Sequence, residues 1–461
     1  MRWMRAVIST LAVTALAAPQ AWAQQAPVTD APTFQSEAVT AISTNPGLAA
    51  ERARVRAVRQ ALPQAWAELL PQVTVDATAI EQDSSEDEFL PAFTIREQPE
   101  YWIASVRSST LLFGSGRVLA STRQARAQIA SAVALYQEAV QSVALEFTQA
   151  YAETRFAREA LAAQQESLTN LEEQVRFARA NQREGFLTRT DVAQAEARVA
   201  QARADLARAR SRLMEAMQLY ARVVGHMPGE LPAPPPLEGL PTNVDDALAY
   251  AQEEHPTLVA AAAEVAGANA AVDLAASNGR MRLFLESTNQ TFDAIGGTND
   301  FNQEFESSVS VRVFVPLFSG GANRSRVRQQ RYVRDASRYS LMDPPRRIGQ
   351  RVNVAWSDLE SARARLEASR TRLEAAELAN RGTRREQQFG QRSMIDVLNQ
   401  EQERLGARVA LAEAERDVVI AERVLAASIG IIAPLLGVET AANPRRERRP
   451  PQITRDNDDL W

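Results

Sequence analysis

Side chains able to do chemistry are sparse in this 461-residue chain, and the most suggestive are two aspartates at matched places. Asp191 follows Gly185 in GFLTRTDV, and Asp396 follows Gly390 in GQRSMIDV. A carboxylate in the first turn of a helix accepts otherwise unpaired N–H groups and opposes the helix dipole, so capping is the plain reading of both. Neither has a Cys or His beside it to build a nucleophile or a metal site. The chain has no Cys and 2 His. His226 lies in a proline-rich stretch and His255 precedes Pro256, so both read as structural or solvated. There is no HExxH motif and no glycine-rich phosphate loop. Gly114-Ser115-Gly116 is too short for a nucleotide fingerprint and reads as a tight corner. The expectation is a protein that is not an enzyme, with no cofactor and no metal.

The elements that carry the two aspartates recur at one spacing. Leu112-Phe113 and Leu317-Phe318, Ala150-Tyr151 and Ala355-Trp356, Gly185 and Gly390, and Gly225 and Gly430 are all 205 positions apart. Loops drift in length, but paired long helices cannot do so without losing register. The chain is therefore expected to be internally duplicated, with residues 36–225 and 244–439 as two repeats and 226–243 as a proline-rich linker.

Composition sets the compartment. All 52 basic residues are Arg, since the sequence has no Lys. Met1 to Ala23 reads as a secretory signal, with Arg2 and Arg5 before an apolar run and Ala21-Trp22-Ala23 as the cleavage site. Its removal takes the formal charge from -5 to −7. No Cys follows, so a lipid anchor is not expected. No later run reaches about 18 apolar residues, so no transmembrane helix is expected. A mildly acidic chain gives no footprint for nucleic acid. Residues 24–35 read as an extended leader, and the charged, proline-rich 440–461 reads as a disordered tail.

Within each repeat the order is helix, two strands, then two long helices. Helices are expected over 36–69, about 117–184 and 190–224, then over 244–277, 322–388 and 393–430. Val192, Val199, Leu206, Leu213 and Tyr220 recur every seven residues, with Ala195, Ala202, Ala209, Ala216 and Val223 between them. This is a seam of one large and one small layer that lets two helix backbones approach closely. The stretch from Phe113 to Gly185 spans about 108 Å as helix, and the return helix only about 53 Å. Helix 36–69, stacked on the return helix, fills the remainder.

Strands are expected at 71–80, 101–113, 281–292 and 305–317. In 305–315, Phe305, Ser307, Val309, Val311, Val313 and Val315 alternate with Glu306, Ser308, Ser310, Arg312 and Phe314. Such alternation suits a membrane barrel strand, apolar toward lipid and polar toward the lumen. Tyr101, Trp102, Phe113, Phe305 and Phe318 bracket the strands as interfacial aromatics would. Four strands cannot close a barrel, whose practical minimum is about eight, so the chain must oligomerise.

The turns at 185–206 and 389–402, the corners LLFGSG (111–116) and PLFSGG (316–321), and the NPGL and HPTL pair carry a resemblance. Over about 36–437 the chain resembles the TolC family of outer-membrane channel-tunnels, most closely the branch serving type I protein secretion. The resemblance implies a mainly α fold with a small transmembrane β part. It implies a homotrimer whose 12-stranded β-barrel in outer-membrane lipid continues as a 12-helix coiled-coil α-barrel across the periplasm. It implies a passive duct that works with a periplasmic adaptor and an inner-membrane ABC exporter or proton-driven pump. By the same resemblance Asp191 and Arg392 are gate partners at the periplasmic mouth, and Asp396 forms an acidic ring. Gln387 and Asn399 stand where better-known members place a Tyr and a second Asp. Gly185, Phe186, Leu187, Thr188, Gly390 and Ser393 would dock the adaptor. Drug efflux is the alternative cargo route. A periplasmic coiled-coil adaptor is the alternative of another class, although adaptors usually carry one hairpin and an inner-membrane anchor.

Overall fold

The computed structural model describes residues 33–80, 101–294 and 304–437. The expected signal, most of the leader and the expected tail lie outside the described residues.

The chain starts with a row of short helices, α1 (Phe34–Thr44), α2 (Pro46–Arg59) and α3 (Ala61–Ala67). Asn45 caps α2 through its side chain, and Pro46 stands in the first turn, where a missing N–H costs nothing. Strands β1 (Gln72–Ile80) and β2 (Tyr101–Phe113) follow, then α4 (Arg117–Arg183) and α5 (Arg189–Val224). The second half gives α6 (Val244–Glu254), α7 (Pro256–Ser277), β3 (Arg282–Ala294), β4 (Glu304–Phe314), α8 (Ala322–Ser340), α9 (Asp343–Gln388), α10 (Met394–Ile429) and α11 (Ile432–Leu435). Both return helices, α5 and α10, have 36 residues and end on a left-handed glycine, Gly225 and Gly430. His255 caps α7, its Nδ1 accepting from the Thr257 N–H at 3.2 Å. His226 Nε2 lies 3.2 Å from the buried Glu37 carboxylate, which also accepts from the Tyr220 hydroxyl at 2.8 Å. His226 thus links its neighbouring helices, and His255 starts one.

Three expectations need correction. The stretch 322–388 is two helices, because Pro344-Pro345 open a new first turn and cannot continue the preceding one. The last strand ends at Phe314, ahead of Pro316. The row Val244–Ser277 is long and apolar enough by composition to cross a membrane, against the run-length expectation. It breaks at His255-Pro256, and its α7 part packs on α4 and α8.

The strands form one antiparallel sheet in the order β1-β2-β3-β4. Opposed residues share a face, so the register sorts the side chains. Val73, Val75, Ala77, Trp102, Val106, Leu283, Leu285, Phe305, Val309, Val311 and Val313 fall on one face. Asp76, Arg107, Arg282, Glu286, Glu306 and Arg312 all fall on the other. On that polar face Arg312 pairs with Glu286, and Gln290 donates to Glu306 at 2.6 Å. The apolar face stays open to solvent in the isolated chain, with Val75 at 74% and Val309 at 71% exposure.

Next to the sheet, α3 and α2, then α4, α7 and α8 lie side by side, in strand order. Farther away, α4 continues between α5 and α10, and α9 packs on α10. The 67 residues of α4 span about 100 Å and tie the two layers together. The core where the layers meet holds Phe34, Phe147, Tyr151, Tyr220 and Ile432. A separate core at the far end holds Leu171, Val175, Val192, Val199, Met394 and Leu398.

Candidate functional site

The two hairpin tips lie at the end farthest from the sheet. In the first, α4 ends at Arg183, Gly185 takes φ 84°, and the Phe186 N–H closes the turn on the Asn181 carbonyl at 2.9 Å. In the second, Gly390 takes φ 74°, and the Gln391 N–H closes on the Glu386 carbonyl at 2.9 Å. A side chain at either glycine would be strained, which fixes these turns at matched positions.

Both aspartates close capping boxes. Asp191 Oδ2 accepts from the Thr188 N–H at 2.9 Å and from its hydroxyl at 2.7 Å, while the Asp191 N–H donates to Thr188 Oγ1 at 3.2 Å. Asp396 Oδ2 accepts from the Ser393 N–H at 3.1 Å and its hydroxyl at 2.6 Å, and the Asp396 N–H donates to Ser393 Oγ at 3.3 Å. Those bonds hold the Asp396 carboxyl below the usual aspartate range, with a smaller contribution from Arg392. Capping engages Oδ2 alone in each box, and a carboxylate has a second oxygen to offer.

Arg392 does not reach Asp191 within one chain. Its Nε donates to Glu386 at 2.8 Å, and this pair raises the affinity of the guanidinium for its proton. Gln387 donates to Met394 Sδ at 3.4 Å. Asn399 Oδ1 accepts from Arg198 at 3.2 Å, which links the second hairpin to the first. Among the docking candidates, Gly185, Thr188, Gly390 and Ser393 are exposed, and Phe186 is 78% exposed. Leu187 is half-buried against the tip core. The second tip presents its own phenylalanine, Phe389 at 80% exposure, which sequence reasoning missed. Its signal was present: a phenylalanine beside a turn glycine, in the same setting as Phe186.

One cluster has no counterpart in the sequence reading. Glu401 is fully buried among three helices. Its Oε1 accepts from Arg404 at 2.8 Å and from Asn170 at 3.0 Å, and its Oε2 accepts from Arg384 at 2.8 Å and Asn380 at 3.2 Å. Arg404 also pairs with Glu166 on α4 at 2.9 Å. Burial pushes the Glu401 carboxyl up, but the bonds from Arg404 and Asn170 and the charges of Arg404 and Arg384 outweigh it and hold it below the usual range. The cluster fastens α9 and α10 to α4 just above the second tip. Among the described residues no group of three His, Cys, Asp or Glu is placed to hold a metal ion.

Comparison with known proteins agrees with this arrangement. The outer membrane efflux protein family matches residues 38–226 and 247–431. Outer membrane efflux protein BepC of Brucella suis is 32% identical over 297 residues, 63% of this chain and 64% of BepC. Alkaline protease secretion protein AprF of Pseudomonas aeruginosa is 31% identical over 127 residues, 27% of this chain and 26% of AprF. The chain thus matches less than two thirds of the length of either relative. The crystal structure of the CmeC outer membrane channel of Campylobacter jejuni superposes with a TM-score of 0.76 at 14% identity, over 90% of this chain and 88% of that one, and so shares its fold. The chain belongs to the outer membrane efflux protein family, the TolC-like channels of the outer membrane that extend into the periplasm.

Proposed function

We propose that this chain is the exit duct of a tripartite export system. Three copies join their sheets into a 12-stranded barrel and their helices into a 12-column tunnel. The observation that carries this reading is the sheet. It has two free edges, β1 and β4, and a largely apolar face that nothing among the described residues covers. A free edge and a bare apolar face are both costly in water, and closure in lipid removes both. The internal duplication makes the two halves near-equivalent segments of the wall.

The duct is passive, and opening is driven from the tips. A periplasmic adaptor docks on Phe186, Phe389 and the turns around them, and an inner-membrane transporter loads the cargo. Asp191, Arg392 and Gln387 form the gate, and Asp396 with Asn399 lines the constriction. Type I protein secretion is the leading route, in keeping with the name of AprF. The name of BepC favours efflux as the second reading, for which a small-molecule cargo is proposed. An adaptor role does not fit a chain of this family. Mass measurement on detergent-extracted protein tests the assembly, and a monomer in the soluble periplasm would overturn it. Deleting the gene tests the route: loss of one secreted protein supports secretion, and drug hypersensitivity with an unchanged secretome supports efflux.

A further inference from the structure

The helix α8 concentrates arginines, six within 19 residues. Asn323, Val327, Gln330, Arg334, Ser337 and Leu341 form its half-buried stripe, facing α7. About a quarter-turn away, Arg324, Arg328, Arg331 and Arg338 form an exposed stripe at helical spacing. Among the described residues Arg324, Arg328 and Arg331 have no acidic partner, and Arg338 has only Asp335 at 4.0 Å.

The side of the wall that this stripe occupies follows from the handedness of α4 and α8, which flank α7. Arg338 Nη2 reaches Asn269 Oδ1 on α7 at 3.5 Å. Asn278, at the end of the same helix, accepts instead from Arg117 at 2.5 Å. Nine positions, or two and a half turns, separate Asn269 from Asn278, so they mark the two flanks of α7, one toward α8 and one toward α4. Arg117 lines a cleft with Gln72, Leu111, Arg282 and Phe284, all from the sheet's polar face. Seen from the sheet, Ala127 on α4 faces Gly267 of α7 and Arg117 lies about 80° clockwise of it, so the polar-face side is clockwise of the direction from α4 to α7. The helix α8 runs the same way on the other flank of α7, so its arginine stripe, about 95° clockwise of the stripe that faces α7, is on the side of the apolar face. The same half-turn rule puts Arg126, nine positions beyond Arg117, with exposed Arg123 on that outer side of α4.

We propose that these arginines form a basic collar on the outside of the tunnel that binds the phosphates of anionic phospholipid in the membrane leaflet facing the periplasm. The inference rests on the barrel reading above, which makes the apolar face the lipid face. Depth supports it. Arg324, Arg328 and Arg331 lie within about 15 Å of the start of α8, and Arg123 and Arg126 within about 15 Å of the start of α4. Both helices begin a few residues beyond the strand ends. Arginine suits the task because its planar fork binds phosphate oxygens in pairs and its charge cannot be titrated away. The collar fixes the depth and tilt of the tunnel relative to the membrane.

Native mass spectrometry of the detergent-solubilised trimer, titrated with phosphatidylglycerol or phosphatidylcholine, tests this. The parent should retain phosphatidylglycerol in preference, and salt should weaken that preference. Each arginine at an anionic surface contributes about fivefold. The triple variant Arg324→Gln, Arg328→Gln, Arg331→Gln should therefore lose at least about tenfold of the preference while remaining trimeric. Equal retention of the two lipids by the parent, or an unchanged preference in the variant, overturns the collar. Loss of binding to purified peptidoglycan sacculi, with lipid preference intact, also overturns it and assigns the stripe to the acidic cell-wall polymer. A parent that is monomeric or does not insert into vesicles refutes the barrel reading itself, which separates the two failures.

Discussion

Replacing Glu401 should loosen the second hairpin from the first. The carboxylate is fully buried and accepts from Asn170, Asn380, Arg384 and Arg404. Removing one partner of a buried ion pair costs about 3–5 kcal/mol, mostly from the charges left behind. Here the charges left are Arg384, whose side chain is 30% exposed and can rehydrate, and Arg404, which keeps Glu166. The cost of Glu401→Ala is therefore at the lower end, about 3 kcal/mol. Glu401→Gln keeps the shape and an acceptor but loses the charge, and should cost roughly half as much. Circular dichroism melts of the trimer, at one protein and detergent concentration, give the comparison. The melting temperature should fall in the order parent, Gln, Ala, and the conductance of both variants in planar bilayers should rise.

The pH dependence adds a signed test. The Glu401 carboxyl is held below its ordinary value of 4.5, so the unfolded chain takes up its proton first on acidification. Its contribution is complete above that value and is lost as pH falls through the lower, folded one. The gap between parent and Glu401→Gln should be constant at neutral pH and close only below about pH 4.5. A Glu401→Ala trimer that melts and conducts like the parent would refute the view that this cluster fastens the hairpins.

Two other outcomes follow from the surface. Phe186→Ser with Phe389→Ser should abolish export and cross-linking to the adaptor while leaving the trimer intact, since both rings are exposed; normal export would remove the tips from the docking surface. Val311→Arg, on the apolar face, should cost about 2–4 kcal/mol of membrane insertion, whereas Ser310→Arg, on the polar face, should be tolerated; equal effects on outer-membrane yield would contradict the assignment of the faces.

Local pattern carried much of this fold. The glycines, caps and heptads of α4 and α5 are all short-range signals, and the sheet faces follow from alternation and register. The break before α9 was also local, but the long helical periodicity through 322–388 masked the start signal in Asp343-Pro344-Pro345. Glu401 was not legible for a different reason. In α10 the frame of Val192 to Tyr220 gives Val397, Arg404, Leu411, Val418 and Leu425, with Gln400, Ala407, Ala414, Ala421 and Ser428 between them, the seam against a single partner. α10 instead lies between α9 and α4, so a second stripe with Leu398, Glu401, Leu405 and Ala412 is buried as well. No spacing within α10 announces that its neighbour on that side is a helix more than two hundred residues earlier. The half-burial of Leu187 was not legible for the same reason, because the core that half-covers it includes Met394 and Leu398 from the other hairpin.

The gate prediction has to respect the roles already seen at the tips. Asp191 begins α5, and Arg392 sits in the turn between α9 and α10. The lower helix row runs α5, α4, α10, α9, so α5 and α9 are its outer members and would face other subunits in the proposed ring. An Asp191–Arg392 link therefore belongs between subunits, where Asp191 still has Oδ1 free and Arg392 has its Nη groups. Such exposed pairs contribute only about 0–1 kcal/mol each, and Glu386 competes for the same guanidinium. The closed state is consequently weak, which suits a gate that docking must open. Asp191→Asn with Arg392→Ser removes the link yet keeps an acceptor for the Thr188 N–H, so the helix cap survives. Single-channel conductance should rise with the trimer's melting temperature unchanged. Glu386→Gln should act in the opposite sense, because it frees Arg392 for the link between subunits and makes the closed state more persistent. High salt should erase both effects by screening. If the double variant conducts like the parent while Asp191→Ala only destabilises the tip, Asp191 is a helix cap and the gate lies elsewhere.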